Sequence, residues 1–155
     1  MSTALELAEA EAQYKKSCPL YEFFGLTVLE MSEESFKVSM PLNDATCNHV
    51  GMIHAGVLFA AGEILGGMVV SKHLADPARF QPVVRDLKIE FLKPALTEVT
   101  ASAHFDSTKA AAMNRELDAS GRFDFVLEAE LRDTHNQVVA KTTANYALRN
   151  FLGKS

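Results

Sequence analysis

Polar and apolar positions change period several times along the chain, and each change marks an expected element. The first sixteen residues space Ala4, Leu5, Ala8 and Ala12 as one apolar face of an amphipathic helix, which must end before Pro19. A short apolar cluster, Leu20 to Phe24, then runs into Gly25. Beyond it, LTVLEMSEESFKVSMPL alternates as two strands turning at Ser32 to Glu34, a hairpin. Pro41 to Ile53 is rich in Asn, Asp, Thr, Cys, His and Gly without a period, which predicts a loop and a place for chemistry. Ala55 to Val70 is apolar or Gly throughout except for Glu63, too long for an ordinary strand, and reads as a buried helix. Its glycines, Gly56, Gly62, Gly66 and Gly67, each cost roughly 1 kcal/mol of helix propensity and so predict close packing against another backbone, supplied by a surrounding sheet.

Past Pro82 the segments VVRDLKIEFLKP, TEVTASAHFDS, FDFVLEAELRD and QVVAKTTANYALRN predict four antiparallel strands, the last two joined at Thr134 to Asn136. Between the second and third, Thr108 to Ser120 reads as a short helix or a mobile connection ending at Gly121. The expected organisation is an N-terminal helix over residues 1–18 packed on a single domain over 19–155, of α+β class.

Composition narrows the function. With 155 residues, 48% hydrophobic and 23% charged, the chain has the balance of one folded globular domain. The net charge of −5 comes entirely from residues 1–36, where seven Glu face only Lys15 and Lys16, and no basic stripe offers itself to nucleic acid. Cys18 and Cys47 lack CxxC spacing and are expected to be reduced thiols. The longest apolar stretch, Val57 to Val70, falls short of a membrane span, and the opening MSTALELAEAEAQ has no signal-peptide pattern, so a cytoplasmic location is expected.

Glu63 is the sharpest anomaly, because an unpaired carboxylate in an apolar helix is expensive. Desolvation raises a carboxyl's pKa and suits it to act as nucleophile or general base. A structural role is the alternative: pairing with a buried His or Arg, or solvent contact at an oligomer edge. His54 precedes the helix, and Ala55 and Gly56 place backbone N–H groups at its positive end, an oxyanion site in outline or else plain capping. Ala55 and Glu63 lie eight residues, or about 12 Å, apart along one helix. If both act on one carbonyl, they must come from two antiparallel copies, which implies a dimer with shared sites. Asn48 could orient water or the carboxylate, or simply shape a turn. His49, His54 and Cys47 lack a metal-ligand pattern, and Cys47 activated by His49 is a weak nucleophile candidate.

The run NHVGMIHAGVLFAAGE, from Asn48 to Glu63, resembles the signature of hot-dog-fold acyl-CoA thioesterases, especially the phenylacetyl-CoA type. That pattern has Asn, His six residues later, a small residue next, and a catalytic Asp or Glu nine after the His; LKIEFLKPALTEVTASAHF also looks like the family's strand pair. The resemblance spans roughly residues 20–150. It implies a hot-dog fold, an antiparallel sheet wrapped around one long helix, and hydrolysis of an acyl-CoA to the free acid and CoA without a cofactor or metal. Glu63 would activate water or attack the thioester, the Ala55 N–H would polarise the carbonyl with Gly56 beside it, and His54 and Asn48 would position the site. Two departures stand out: Ala55 occupies a place where the family usually has Gly, and no Ser or Thr counterpart is evident around Gln81 to Asp86. A homodimer or homotetramer is implied. Arg85, Lys88 and Lys93 are the candidate contacts for the CoA phosphates, and Met40, Met52 and Met68 candidates for an acyl pocket. The competing readings are a hot-dog hydratase or dehydratase using His54 as base, and a non-catalytic acyl-CoA or lipid binder.

Overall fold

A computed structural model describes residues 2–153. The outermost positions of the two expected segments, Met1, Lys154 and Ser155, lie outside that range. The capping box of Thr3 and Glu6 opens α1 (Ala4–Ser17), with Lys15 and Lys16 at its C-terminal end. Pro19 starts a separate short helix, α2 (Pro19–Phe24), which Gly25 closes in the left-handed conformation at φ 71°. The hairpin follows as β1 (Thr27–Met31) and β2 (Ser35–Met40), paired antiparallel with Thr27 opposite Ser39.

The apolar segment is α3 (Ala55–His73), three residues longer than its apolar run. At 19 residues it has the length and apolarity of a membrane-crossing helix, yet most of it is buried within this fold. The remaining elements are β3 (Gln81–Phe91), β4 (Val99–His104), α4 (Ser107–Ser120), β5 (Phe123–Asp133) and β6 (Val138–Arg149). The strands form one antiparallel sheet in the order β1-β2-β4-β5-β6-β3, and α3 lies against it, touching β2 through β6. This is the hot-dog arrangement. β5 shows why the sheet has an inner face: Phe123, Phe125, Leu127, Ala129 and Leu131 alternate inward, while Asp124, Val126 and Glu128 face out. Opposite them Leu58, Ala61, Leu65, Met68 and Val69 of α3 complete the core.

Gly62 and Gly66 meet β6 side chains rather than another backbone. A Cβ at Gly62 would lie 2.6 Å from Cγ2 of Thr142, and one at Gly66 would lie 2.0 Å from Cζ of Tyr146. Within the chain, Gly67 faces open space. The segment between β4 and β5 is the ordered helix α4, capped by Asp106 and closed by Gly121, and it buries Ala110, Met113 and Leu117. Asn114 ties it to the end of α3: Nδ2 donates to the His73 carbonyl at 2.8 Å and Oδ1 accepts from the Ala75 N–H at 2.9 Å.

Among the described residues β3 pairs only with β6, and it forms one edge of the sheet. A bulge at Arg85 interrupts its register, and Pro82 to Asp86 are all exposed. Eleven residues of unpaired edge carrying exposed Val83, Val84 and Phe91 are a template for pairing with another strand.

Candidate active site

The loop from Pro41 to Ile53 delivers the chain to the start of α3. Thr46, fully buried, closes it by donating to the Pro41 carbonyl at 2.6 Å and accepting from the Asn43 N–H at 2.9 Å. Asn48 organises the next turn, its Oδ1 accepting from the N–H groups of Val50 and Met52 at 3.0 and 3.1 Å. Its Nδ2 has no partner among the described residues. Cys47 and Ile53 form an isolated bridge, and His54 then caps α3: its Nδ1 accepts from the Gly56 N–H at 2.9 Å. The capping satisfies Gly56 and leaves the neighbouring Ala55 N–H, exposed at the positive end of the helix, without a described acceptor.

Ala55, Phe59, Glu63 and Gly67, spaced by four, form the stripe of α3 that the sheet does not cover. Glu63 is half-buried there. Among the described residues it pairs with no His or Arg: the Tyr21 hydroxyl of α2 donates to its Oε2 at 3.0 Å. From the sheet side, the Tyr146 hydroxyl donates to the Glu63 backbone carbonyl at 2.6 Å. Burial pushes the Glu63 carboxyl above its ordinary range, and the hydrogen bond from Tyr21 pulls it only part of the way back. Both tyrosines are held protonated well above the usual phenol range, chiefly by burial and next by the nearby carboxylate.

A cavity of about 750 Å³ opens beside this carboxylate. Its walls are mostly apolar: Leu20, Tyr21 and Phe24 from α2, Val57, Phe59 and Ala60 from α3, and Val84 from β3. Cys18, Cys47, His54 and Gly56 complete it together with Glu63, and no Lys or Arg among the described residues lines it. Asn48 and Ala55 instead line a second cavity of about 390 Å³, with Met52, Leu58, Phe91 and Lys93. The structure thus brings Glu63, His54 and Gly56 to one cavity and Asn48 and Ala55 to another.

The three basic candidates are dispersed. Arg85 lies 3.8 Å from the Asp124 carboxylate and Lys88 3.1 Å from that of Glu90. Among the described residues the Lys93 ammonium bonds only the neutral side chain of Gln137, at 2.9 Å, and has no carboxylate partner at the second cavity. Of the methionines, Met40 and Met68 are fully buried core, and Met52 alone lines one of these cavities.

A family model described as a domain of unknown function, DUF4442, matches residues 10–148. The chain belongs to the DUF4442 family. Several solved structures resemble this DUF4442 chain. A Pseudomonas aeruginosa protein of unknown function, described as a "probable thioesterase", is 28% identical, with a TM-score of 0.83 over 96% of this chain and 97% of its own. A thioesterase of Haemophilus influenzae shares the fold at 21% identity, with a TM-score of 0.74 over 98% of this chain and 94% of its own. Among curated proteins, a "putative esterase" of Halobacterium salinarum is 26% identical over 87 residues, 54% of this chain and 58% of its own length. The DUF4442 chain therefore matches little more than half the length of that relative.

Sequence reasoning about this DUF4442 site missed Tyr21 and Tyr146. Each lies far from Glu63 in sequence, by 42 and 83 residues, and neither stands in a pattern that points to it.

Proposed function

We propose that the protein hydrolyses acyl-CoA thioesters to the free acid and CoA, with Glu63 as general base. The observation that carries this reading is a single carboxylate, held above its ordinary pKa, on the wall of an apolar cavity large enough for an acyl group. Glu63 takes a proton from water, the resulting hydroxide attacks the thioester carbonyl carbon, and the carbonyl oxygen becomes an oxyanion. When the C–S bond breaks, the protonated Glu63 returns its proton to the departing thiolate, which leaves as the CoA thiol. The oxyanion is met by the Ala55 N–H, the group that His54 capping leaves available.

Those two groups are about 12 Å apart on one helix, so they act on one carbonyl only across two antiparallel copies. The uncovered features of the chain suit a homodimer. The stripe of α3 carries Glu63 and Phe59, and the open edge of β3 lies beside it, Val84 sharing the cavity with both. Pairing of β3 with its own copy would satisfy that edge and bring the second α3 alongside the first. Lys93, with no carboxylate partner among the described residues and next to Ala55 in the second cavity, is the best placed of the three basic residues for a CoA phosphate.

His54 does not suit the base of a dehydratase. Its Nδ1 accepts a backbone N–H, so the neutral ring carries its proton on Nε2 and has no free lone pair.

Thiol release from short, medium, long and aromatic acyl-CoAs, measured for the wild type and Glu63→Gln, tests the proposal. Hydrolysis of at least one member, falling by about 100-fold or more in the variant, is expected. No thiol release from any member, with CoA esters still bound, would replace the enzyme with a binding protein.

A further inference from the structure

The Tyr21 hydroxyl is the only described side-chain donor to Glu63, and it reaches the carboxylate from outside the Asn48 to Glu63 run. Its helix is fixed at both ends. Cys18, the N-cap of α2, donates its N–H to the Tyr14 carbonyl of α1 at 2.9 Å. At the other end the Leu26 N–H donates to the carbonyl of Tyr21 itself at 3.1 Å. α1 is in turn tied to β1, since Oε2 of Glu11 accepts from the Val28 N–H at 2.9 Å. The Tyr21 ring packs on the core. A hydroxyl so placed, and held protonated, can only donate to the carboxylate.

We propose that Tyr21 is a positioning residue for Glu63: its hydroxyl fixes Oε2 so that Oε1 is left to face the substrate cavity, and the N-terminal helices thereby complete the site. The proposal rests on the reading of Glu63 as the base. It follows from the geometry on both sides of the residue. Tyr146 clamps the Glu63 backbone from the sheet, Tyr21 clamps one oxygen from α2, and no other described residue donates to the second oxygen. A carboxylate that could rotate freely would present either oxygen and lose the alignment that proton transfer needs.

Tyr21→Phe removes the hydroxyl and keeps the ring. The titratable groups facing Glu63 are Tyr21 and Cys18 at α2, Tyr146 on β6, Cys47 on the loop and His54 at the start of α3, and no cation is among the cavity's lining residues. Loss of the hydrogen bond favours the protonated carboxyl, so the acidic limb of the kcat/KM profile should move up by about one pH unit. At pH 7, kcat should fall about tenfold with KM within about twofold and the thermal midpoint within about 3 °C. A residue that merely packs would leave the profile in place.

An unchanged kcat and an unmoved acidic limb in Tyr21→Phe, with Glu63→Gln inactive, would overturn the proposal while leaving the thioesterase reading intact. Should Glu63→Gln hydrolyse acyl-CoA as fast as wild type, the underlying reading fails and the positioning role of Tyr21 fails with it. Carboxyl-carbon NMR titration of Glu63 gives a check independent of turnover: its midpoint rises in Tyr21→Phe if the hydroxyl holds the carboxylate, and an identical midpoint refutes that hold.

Discussion

Adjacent glycines on α3 should respond to the same substitution with opposite signs. At Gly66 an added Cβ would lie 2.0 Å from Cζ of Tyr146 and 2.3 and 2.4 Å from its two Cε atoms, where carbon pairs rest at about 3.5–4.0 Å. The ring cannot retreat cheaply. It is 2% exposed, stacks on Phe125 with centroids 5.0 Å apart, and is pinned through its hydroxyl to the Glu63 carbonyl. Phe125 is backed in turn by Phe105 at 5.2 Å. Overpacking of this kind costs about 1–3 kcal/mol, and the lost hydrogen bond about 1 kcal/mol more. Replacing Gly by Ala in a helix returns about 1 kcal/mol. Gly66→Ala should therefore destabilise by about 1–3 kcal/mol. Gly67, which meets nothing within 4 Å in its own chain, should keep most of the helix gain in the monomer. Because the propensity term is common to both, their difference isolates the clash at about 2–4 kcal/mol, roughly 5–15 °C in thermal midpoint for a chain of this size. Urea unfolding followed by circular dichroism measures it directly, with equal m-values showing that the denatured states match. If Gly66→Ala proved as stable as Gly67→Ala, Tyr146 would not lie beneath that turn, and the account of how Glu63 is held from the sheet would fail.

Two further expectations concern Glu63 and α4. The folded-state pKa of Glu63 is raised above its unfolded value, so the native state holds the proton more tightly and the carboxylate's contribution to stability falls as pH rises through that interval. Glu63→Gln should thus raise the thermal midpoint at pH 7, with the gain vanishing below about pH 4; a variant no more stable than wild type at pH 7 would contradict the desolvation of this carboxylate. Asn114→Ala removes both hydrogen bonds between α4 and the end of α3 and should cost about 1–2 kcal/mol, with faster amide exchange across residues 107–120; unchanged exchange there would show that Met113 and Leu117 hold α4 without it.

Local signals made much of the fold legible. The β1–β2 turn, the start of α3 after His54 and the four later strands all follow from periodicity and breakers within a few residues of each other. The ordered state of α4 was less clear, because Thr108 to Ser120 has few large apolar residues and its order depends on burying Met113 and Leu117 and on the Asn114 bridge. The separate identity of α2 depends on one proline and one left-handed glycine around six residues. The glycines of α3 signalled close approach, but what approaches Gly62 and Gly66 is Thr142 and Tyr146, from a strand some 80 residues away. Glu63 was conspicuous as an oddity of its own segment. Its partners were not, since a phenol in the cluster LYEFF looks like any other core aromatic until the chain folds.

The treatment of carboxylates elsewhere in the molecule sets Glu63 apart. Lys37 draws Glu30 below its ordinary range, Arg132 does the same for Glu130, and Arg149 for Asp124, all near the surface. Among the described carboxylates with a displaced pKa, Glu63 is the one pushed up, and it is the one given a phenol in place of a cation. A buried carboxylate paired with a cation cannot lose that partner without leaving an uncompensated charge. A single neutral donor has a different effect. It donates to one oxygen and offsets part of the desolvation, while the other oxygen has no donor among the described residues. The fold thus tolerates an unfavourable charge at the one position where it borders a large apolar cavity, and the second tyrosine, spent on the backbone carbonyl, fixes where that charge stands.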